Sequence, residues 1–204
     1  MFKEQTEQLQ KCRAADIDPC GGLSKSQVDK HRGNPAGTGK ADRASPLLKD
    51  NVTVNEDGSI DISVNYYGKG DRKRVREAVI NIRKAYAKQD INISFSKVGS
   101  EAEAEVVIFA ATLTDMVKAC LARTCEAAIG IGGSGSFSGK QLLLNTVANG
   151  DNYLTDAHEF RHNLGLRHRT DGGIMDYPPI SPNKRDNREV TISDRNRIRS
   201  LYGN

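Results

Sequence analysis

Apolar and polar residues alternate in several short stretches of the chain, and this alternation predicts β-strands. The stretches 60–66 and 91–95 alternate with a period of two, which places apolar side chains on one face of a sheet and polar ones on the other. The stretch 105–110 is apolar after its first residue, typical of a strand buried on both faces. Two further apolar runs, 127–131 and 141–145, are also predicted to be strands.

Two segments have the periodicity of amphipathic helices. After Asp71, a predicted N-cap, apolar residues recur at the spacing of one helix face up to about residue 88. These residues are Val75, Val79, Ile82 and Tyr86. Thr191 with Asp194 three residues later is typical of a capping box, and it predicts a last helix that ends at Gly203. Strands and helices in this order indicate an α+β fold.

One further helical segment concentrates the candidate chemistry, because it and the turn after it contain three of the four histidines. His158 and His162 are one helical turn apart on one face, where two imidazoles bind a single ion. Glu159 lies beside the first ligand, angled to reach a metal-bound water. Gly165 predicts the end of the helix, so that His168 supplies a third nitrogen from another direction. Three neutral nitrogens with a fourth position open are typical of catalytic zinc.

The pattern H-E-x-x-H-x-x-G-x-x-H, followed by a methionine turn, resembles the metzincin clan of zinc peptidases. The histidine run is most similar to matrixins, whereas Met175-x-Tyr177 is similar to the astacin and serralysin form of the turn. The resemblance implies that Met175 forms an apolar floor beneath the imidazoles. It also implies that Tyr177 is an extra zinc ligand or a donor to the developing oxyanion. Arg161 departs from the pattern, because matrixins usually carry glycine there.

The same resemblance implies an architecture. A metzincin-like domain has a twisted five-stranded mixed sheet with two helices, the zinc helix at the cleft, and a small C-terminal subdomain with the methionine turn and a final helix. In metzincins the substrate pairs with an edge strand as an additional antiparallel strand. The residues that correspond to this edge are Ala128, Ile129, Gly130 and Ile131. The alternative for the glycine-rich stretch 133–139 is a flexible hairpin connection.

The implied function is that of a zinc-dependent endopeptidase acting on a protein or peptide substrate, with Glu159 as general base on a zinc-activated water. One alternative is a target-specific protease toxin or effector of a secreted bacterial system, because residues 17–23 resemble the junction before the toxin domain of Rhs-type polymorphic toxins. Such a protein would have a cognate inhibitor or immunity protein as its partner. Another alternative is a non-catalytic, zinc-stabilised binding module, although a pure binder has no need of Glu159.

Composition and charge exclude several classes of partner. The 204 residues carry 30 Lys and Arg against 26 Asp and Glu, a net charge of +4, which is too small and scattered an excess to indicate nucleic acid. No apolar run has the length of a membrane span, and the first residues lack the apolar core of a secretory signal. We expect a monomer that is secreted or exported by another route, with a cytoplasmic location as the alternative.

Residues 1–50 differ in composition from the remainder. Apolar residues are sparse there, and glycine and proline interrupt the sequence repeatedly. We interpret this stretch as a leader, pro-segment or linker, followed by a metzincin-like peptidase domain over 51–204. Metzincins are commonly held latent by a segment that lends the zinc a fourth ligand, so residues 1–50 are also a candidate inhibitor.

The four cysteines form two local pairs, Cys12 with Cys20 and Cys120 with Cys125. Two short disulfide loops in an oxidising compartment suit this spacing. Free thiols in a cytosolic protein are the alternative. A second zinc site is disfavoured, because no histidine lies near either pair in sequence. In a latent form the additional zinc ligand would be Cys12 or Cys20 as a thiolate, or Asp16 or Asp18 as a carboxylate.

Overall fold

The computed structural model describes residues 41–112, 115, 133–135, 139–146, 152–167 and 189–203. Within these ranges the chain forms one mixed sheet and three α-helices. The strands are β1 (Val52–Val54), β2 (Ile60–Gly70), β3 (Ile91–Lys97), β4 (Val106–Ala111), β5 (Gly133–Gly135) and β6 (Gln141–Asn145), and the helices are α1 (Arg72–Ala87), α2 (Asn152–Asn163) and α3 (Ile192–Tyr202). In the part of the chain that the structure describes, no helix has the length and apolar character needed to cross a bilayer.

The long strand β2 organises the sheet. β3 and β4 both run parallel to β2 and both pair with Tyr66, so they lie on opposite sides of it. β1 pairs antiparallel with the first residues of β2, and β3 pairs with the same residues from the other side. β1 therefore lies on the same side of β2 as β4. β6 continues the sheet parallel to β4, and β5 is antiparallel to β6 at the edge. The predicted α+β class and mixed sheet are confirmed. β1 and β5 are short strands that the sequence pattern did not predict, and β5 lies in the stretch for which a flexible hairpin connection was the alternative.

Most of the predicted strands are present. Those over 60–66, 91–95, 105–110 and 141–145 correspond to β2, β3, β4 and β6, of which β2 and β3 continue further than predicted. β4 is buried along nearly its whole length, as its apolar run indicated. The predicted strand 127–131 lies outside the described residues. The described edge strand, β5, begins just after it.

The start of α1 is fixed by its cap and by the glycine before it. The carboxylate of Asp71 accepts hydrogen bonds from the backbone N–H groups of Lys73 and Arg74, at 2.8 and 2.9 Å, which confirms the predicted N-cap. Gly70 has a φ of 78°, and a Cβ at this position would lie 1.9 Å from the carbonyl oxygen of Ala110. Only glycine fits where β2 ends against β4.

The buried apolar side chains of the described residues form one cluster, built mainly from the sheet and from helices α1 and α2, with Ile198 of α3 also in it. Its aromatic members are in edge contact: Phe160 of α2 packs against Tyr86 and Phe95, with ring centroids 5.8 and 5.7 Å apart. The Tyr86 hydroxyl donates to the carbonyl of Ala157 at 3.1 Å. Burial raises the pKa of Tyr86, which keeps this donor protonated. The apolar side of α2 is therefore fixed against α1 and the sheet.

Helix α3 begins and ends as predicted. Thr191 and Asp194 form the reciprocal capping box, and the N–H of Gly203 donates to the carbonyl of Arg199 at the other end. Residues 42–48 pack against this part of the domain, although composition placed them with the leader. Within that segment Ser45 and Leu48 are buried, and Leu48 is a member of the core.

Candidate metal centre

Helix α2 brings the first two predicted ligands together. The ring centroids of His158 and His162 lie 5.2 Å apart, with the ring planes at 83°. The candidate ligand atoms of His158, Glu159 and His162 all lie within 4.8 Å of one another. His162 is buried, whereas the other two side chains are half-buried. In the described part of the chain, this is the one group of three such residues that could hold a metal ion.

A hydrogen bond sets the tautomer of His162. Its Nδ1 lies 3.0 Å from the carbonyl oxygen of Leu166, and because a carbonyl can only accept, Nδ1 must carry the proton. In the neutral ring, Nε2 then keeps its lone pair for a metal. This ring is thus oriented and protonated as a metal ligand requires, and the donor set fits zinc, which favours neutral imidazole nitrogens.

Gly165 ends the helix as predicted. Its φ is 86°, the left-handed conformation that favours glycine. Its N–H donates to the carbonyl of His162 at 2.9 Å, and the N–H of Leu166 donates to the carbonyl of Arg161 at 3.1 Å. This is the paired hydrogen bonding of a Schellman motif. The chain turns back at this point and runs towards His168.

Arg161, the departure from the matrixin pattern, has a structural partner. Its guanidinium forms an ion pair with the carboxylate of Asp194, and the two side chains are 0% and 1% exposed. The second oxygen of Asp194 accepts from the backbone N–H of Thr191 at 2.8 Å in the capping box. One carboxylate therefore caps α3 and joins it to α2. The sequence pattern showed the cap but gave no sign of the ion pair.

A second buried ion pair joins α2 to α1. Both guanidinium amines of Arg74 donate to the carboxylate of Asp156, which also accepts from the amide of Asn81 at 2.8 Å. Burial raises the pKa of the Asp156 carboxyl, and the hydrogen bonds from Arg74 oppose that shift. Asp156 lies two residues before His158, so this pair fixes the helix just ahead of its first ligand.

The end of α2 is also bonded to the sheet. The side-chain amide of Asn163 donates to the carbonyls of Gly139 and Gln141, at 2.8 and 2.9 Å. These acceptors lie at the start of β6, the strand that pairs with the edge strand β5. Helix α2, with its candidate ligands, and the sheet edge are thus held in a fixed relation. Sequence analysis missed Asn163, because an asparagine next to a histidine has no distinctive spacing.

Several predicted site residues lie outside the described part of the chain and remain predictions. They are His168, Met175, Tyr177, Ala128, Ile129, Gly130 and Ile131, together with the cysteines Cys12, Cys20, Cys120 and Cys125. The structure therefore brings together two of the three predicted nitrogen ligands and the predicted base.

An α+β domain with H-E-x-x-H on a glycine-terminated helix has the features of a metzincin zinc metallopeptidase. Comparison with protein families agrees with this class. The family described as Matrixin matches residues 59–203, and the chain belongs to the matrixin family of zinc metallopeptidases.

Named relatives share part of the sequence. Neutrophil collagenase of Homo sapiens is 36% identical over 83 residues, which are 41% of this chain and 18% of that protein. Matrilysin of Felis catus is 33% identical over 84 residues, which are 41% of this chain and 32% of that protein. The matched segment is thus less than a third of the length of either relative.

Solved structures similar to the chain include two proteins of low sequence identity. A crystal structure of myroilysin is 15% identical, covers 81% of this chain and 99% of its own, and has a TM-score of 0.44. High choriolytic enzyme 1, a hatching-enzyme zinc protease from Oryzias latipes (medaka fish), is 16% identical, with coverages of 74% and 93% and a TM-score of 0.40.

Proposed function

We propose that the chain is a zinc-dependent endopeptidase. The observation that carries the proposal is the group of His158, Glu159 and His162, whose ligand atoms lie within 4.8 Å of one another. A carboxylate beside two histidines that share one helix face is what a hydrolytic site needs, because the imidazoles bind the ion and the carboxylate handles protons. Membership of the matrixin family supports the same reaction class.

The residues that would hold the ion are His158, His162 and His168. His162 contributes Nε2, since its Nδ1 donates to Leu166. Zinc supplies a Lewis acid that activates water and polarises the carbonyl of the scissile peptide bond. Three protein nitrogens leave room for that chemistry, whereas a fourth protein ligand would close the site.

Glu159 is the general base in this proposal. It accepts the proton of the attacking water and returns the proton to the amine that leaves. Its half-buried carboxylate lies next to His158 in sequence and within reach of the same site. Tyr177 would donate a hydrogen bond to the tetrahedral intermediate, and Met175 would pack beneath the imidazoles.

The substrate backbone would pair with the edge of the sheet. β5 is the last strand in the order, it pairs with β6 on its inner side, and it lies beside α2. An extended peptide can add to such an edge through main-chain hydrogen bonds. In this proposal the segment Ala128–Ile131, just before β5, extends the edge along the cleft.

The test combines zinc content with hydrolysis of casein and of a peptide library. We expect one zinc per wild-type chain and measurable cleavage, and we expect Glu159→Ala to bind zinc without cleaving. Glu189→Ala, which removes an exposed glutamate paired with Lys88, is the matched control and should cleave normally.

Each outcome of this test has a distinct meaning. Zinc binding without cleavage by the wild type would identify a non-catalytic binding module and reject the peptidase proposal. Cleavage with a broad site profile would indicate a general protease. Cleavage limited to one protein target would favour the toxin or effector alternative and a cognate inhibitor as partner.

A further inference from the structure

Each residue of the turn after helix α2 (residues 164–167) forms a hydrogen bond through its backbone. The partner is either a residue distant in sequence or His162, a candidate metal ligand. The carbonyl of Leu164 accepts from the Tyr202 hydroxyl at 2.9 Å. The carbonyl of Gly165 accepts from the N–H of Arg43 at 3.0 Å, and that of Leu166 faces His162. This turn ends at Arg167, and the next residue in sequence is His168.

The backbone N–H and carbonyl of Arg167 are hydrogen-bonded to two oppositely charged side chains. Its N–H donates to Oδ1 of Asp42 at 3.0 Å, and its carbonyl accepts from Nη2 of Arg197 at 2.8 Å. Asp42 and Arg197 also bind each other bidentately, through Nε to Oδ2 and Nη2 to Oδ1, both at 2.8 Å. Both the N–H and the carbonyl of Arg167 are therefore fixed by the same ion pair.

This ion pair has the properties of a rigid support. The Arg197 and Asp42 side chains are 8% and 9% exposed, so solvent screens them little. A bidentate guanidinium–carboxylate contact fixes orientation as well as distance. Tyr202 adds a second link, since its oxygen accepts from the N–H of Ser45 at 2.9 Å while its proton bonds the Leu164 carbonyl.

We propose that Asp42 and Arg197 are positioning residues for the third metal ligand. They fix the backbone of Arg167, and this limits where the adjoining His168 can place its ring. Preorganised ligands bind a metal more tightly, because the ordering is completed when the domain folds rather than when the ion binds. The inference rests on the ligand set of the proposed function.

A consequence concerns the boundary of the active unit. Asp42 lies ahead of residue 59, where the family match begins, and inside the segment that composition placed with the leader. On this proposal the metal site depends on residues 42–48. The functional unit therefore begins no later than Asp42.

The experiment compares full-length variants that remove the ion pair in two ways. Asp42→Asn keeps the size of the side chain and loses its charge, whereas Arg197→Lys keeps the charge and loses the bidentate geometry. Asp90→Asn is the matched control. Asp90 forms a 2.8 Å ion pair with Arg195, which lies on the same helix as Arg197, but this pair does not involve the turn. Ile82→Val, at a fully buried core position, controls for loss of stability alone.

The readouts are the dissociation constant for zinc, by competition with a chelator, and the visible absorption of the Co²⁺-loaded chain, which depends on coordination geometry. We expect Asp42→Asn and Arg197→Lys to weaken zinc binding about tenfold, as loss of an outer-shell partner does, and to change the Co²⁺ spectrum. The Asp90 and Ile82 variants should keep the wild-type affinity and spectrum.

The possible results separate this inference from the proposed function. Unchanged affinity and spectrum in both ion-pair variants would overturn the positioning role while leaving the peptidase proposal intact. Equal loss in the Ile82 variant would also overturn it, because general destabilisation would then be sufficient. Wild-type chain that binds no zinc would refute the proposed function and this inference with it. Should Asp42→Asn fail to fold, Arg197→Lys decides the question alone.

Discussion

Arg161 of helix α2 and Asp194 of helix α3 form an ion pair in which both side chains are closed to solvent. Burying a charge costs free energy unless the charge is paired, and here each charge offsets the burial cost of the other. Matrixins usually carry glycine at the position of Arg161, and a glycine would make no such link. In this chain the pair joins α2 to α3 at the residue next to His162.

The first prediction concerns this ion pair. Arg161→Met removes the nearer cation of the buried Asp194 carboxylate and leaves it only Arg197, whose Nη1 lies 4.0 Å from Oδ1. We expect a loss of about 3–5 kcal/mol in the free energy of unfolding. Urea unfolding followed by circular dichroism measures it. Arg195→Met breaks the solvent-exposed bridge to Asp90 and should cost less than about 1 kcal/mol. Similar losses in the two variants would contradict a special role for the buried pair.

The second prediction separates catalysis from metal binding. Glu159→Gln should abolish hydrolysis while zinc content and melting temperature stay near the wild-type values, because the amide cannot take up the water's proton. His162→Ala should lose zinc, activity and stability together. Zinc analysis, a peptide assay and thermal unfolding measure the three quantities. Loss of zinc from the Glu159 variant would mean that this carboxylate is a ligand.

The third prediction tests Tyr177. Tyr177→Phe removes a hydroxyl that we expect to act in the transition state, so kcat should fall more than KM changes. Loss of one such donor typically costs about 2.7–4 kcal/mol, or roughly 10²–10³ in kcat. Tyr67→Phe, on strand β2, is the control. Steady-state kinetics that show the same kcat for both variants would leave Tyr177 as a packing residue.

The fourth prediction compares two N-terminal deletions. Removing residues 1–40 keeps Asp42, Ser45 and Leu48, and we expect zinc affinity and melting temperature to be retained. Removing residues 1–48 takes away the core side chain of Leu48, which alone is worth about 2–5 kcal/mol, and the ion pair of Asp42 with Arg197. Thermal unfolding and zinc titration measure the difference. A rise in activity without zinc loss after the shorter deletion would show that residues 1–40 inhibit.

The fifth prediction concerns pH and Tyr202. Burial raises the pKa of its hydroxyl, which the hydrogen bond from Ser45 partly opposes. The folded state then holds this proton more tightly than the unfolded state, so stability falls as pH rises above about 10, the ordinary tyrosine value. Tyr202→Phe should be less stable at pH 7 by about 1 kcal/mol, and it should lose stability less steeply above pH 10. Urea unfolding across this range tests both parts, and an unchanged slope would count against the assigned shift.

The local features of the site follow from the sequence alone. The spacing of His158 and His162, the cap at Asp71 and the helix end at Gly165 each depend on a few consecutive residues. Helical geometry places residues four apart on one face in any protein, and glycine enters the left-handed region wherever it occurs. The strands β2 and β3 were predictable because burial of one face imposes a period of two. β4 and β6 were predictable because burial of both faces imposes a continuous apolar run.

The tertiary structure decided which distant residues support that site. Asp42 and Arg197 are 155 residues apart in sequence, and Arg161 and Asp194 lie on two helices that are far apart in sequence. A single aspartate or arginine belongs to no recurring sequence pattern, so the sequence does not show which residue it pairs with. Such contacts form when the sheet and the described helices assemble. A charge that becomes buried at that stage needs an oppositely charged partner. The sequence thus determined the helix that carries His158 and His162 and the glycine that ends it, whereas long-range packing determined how the turn after that helix is held.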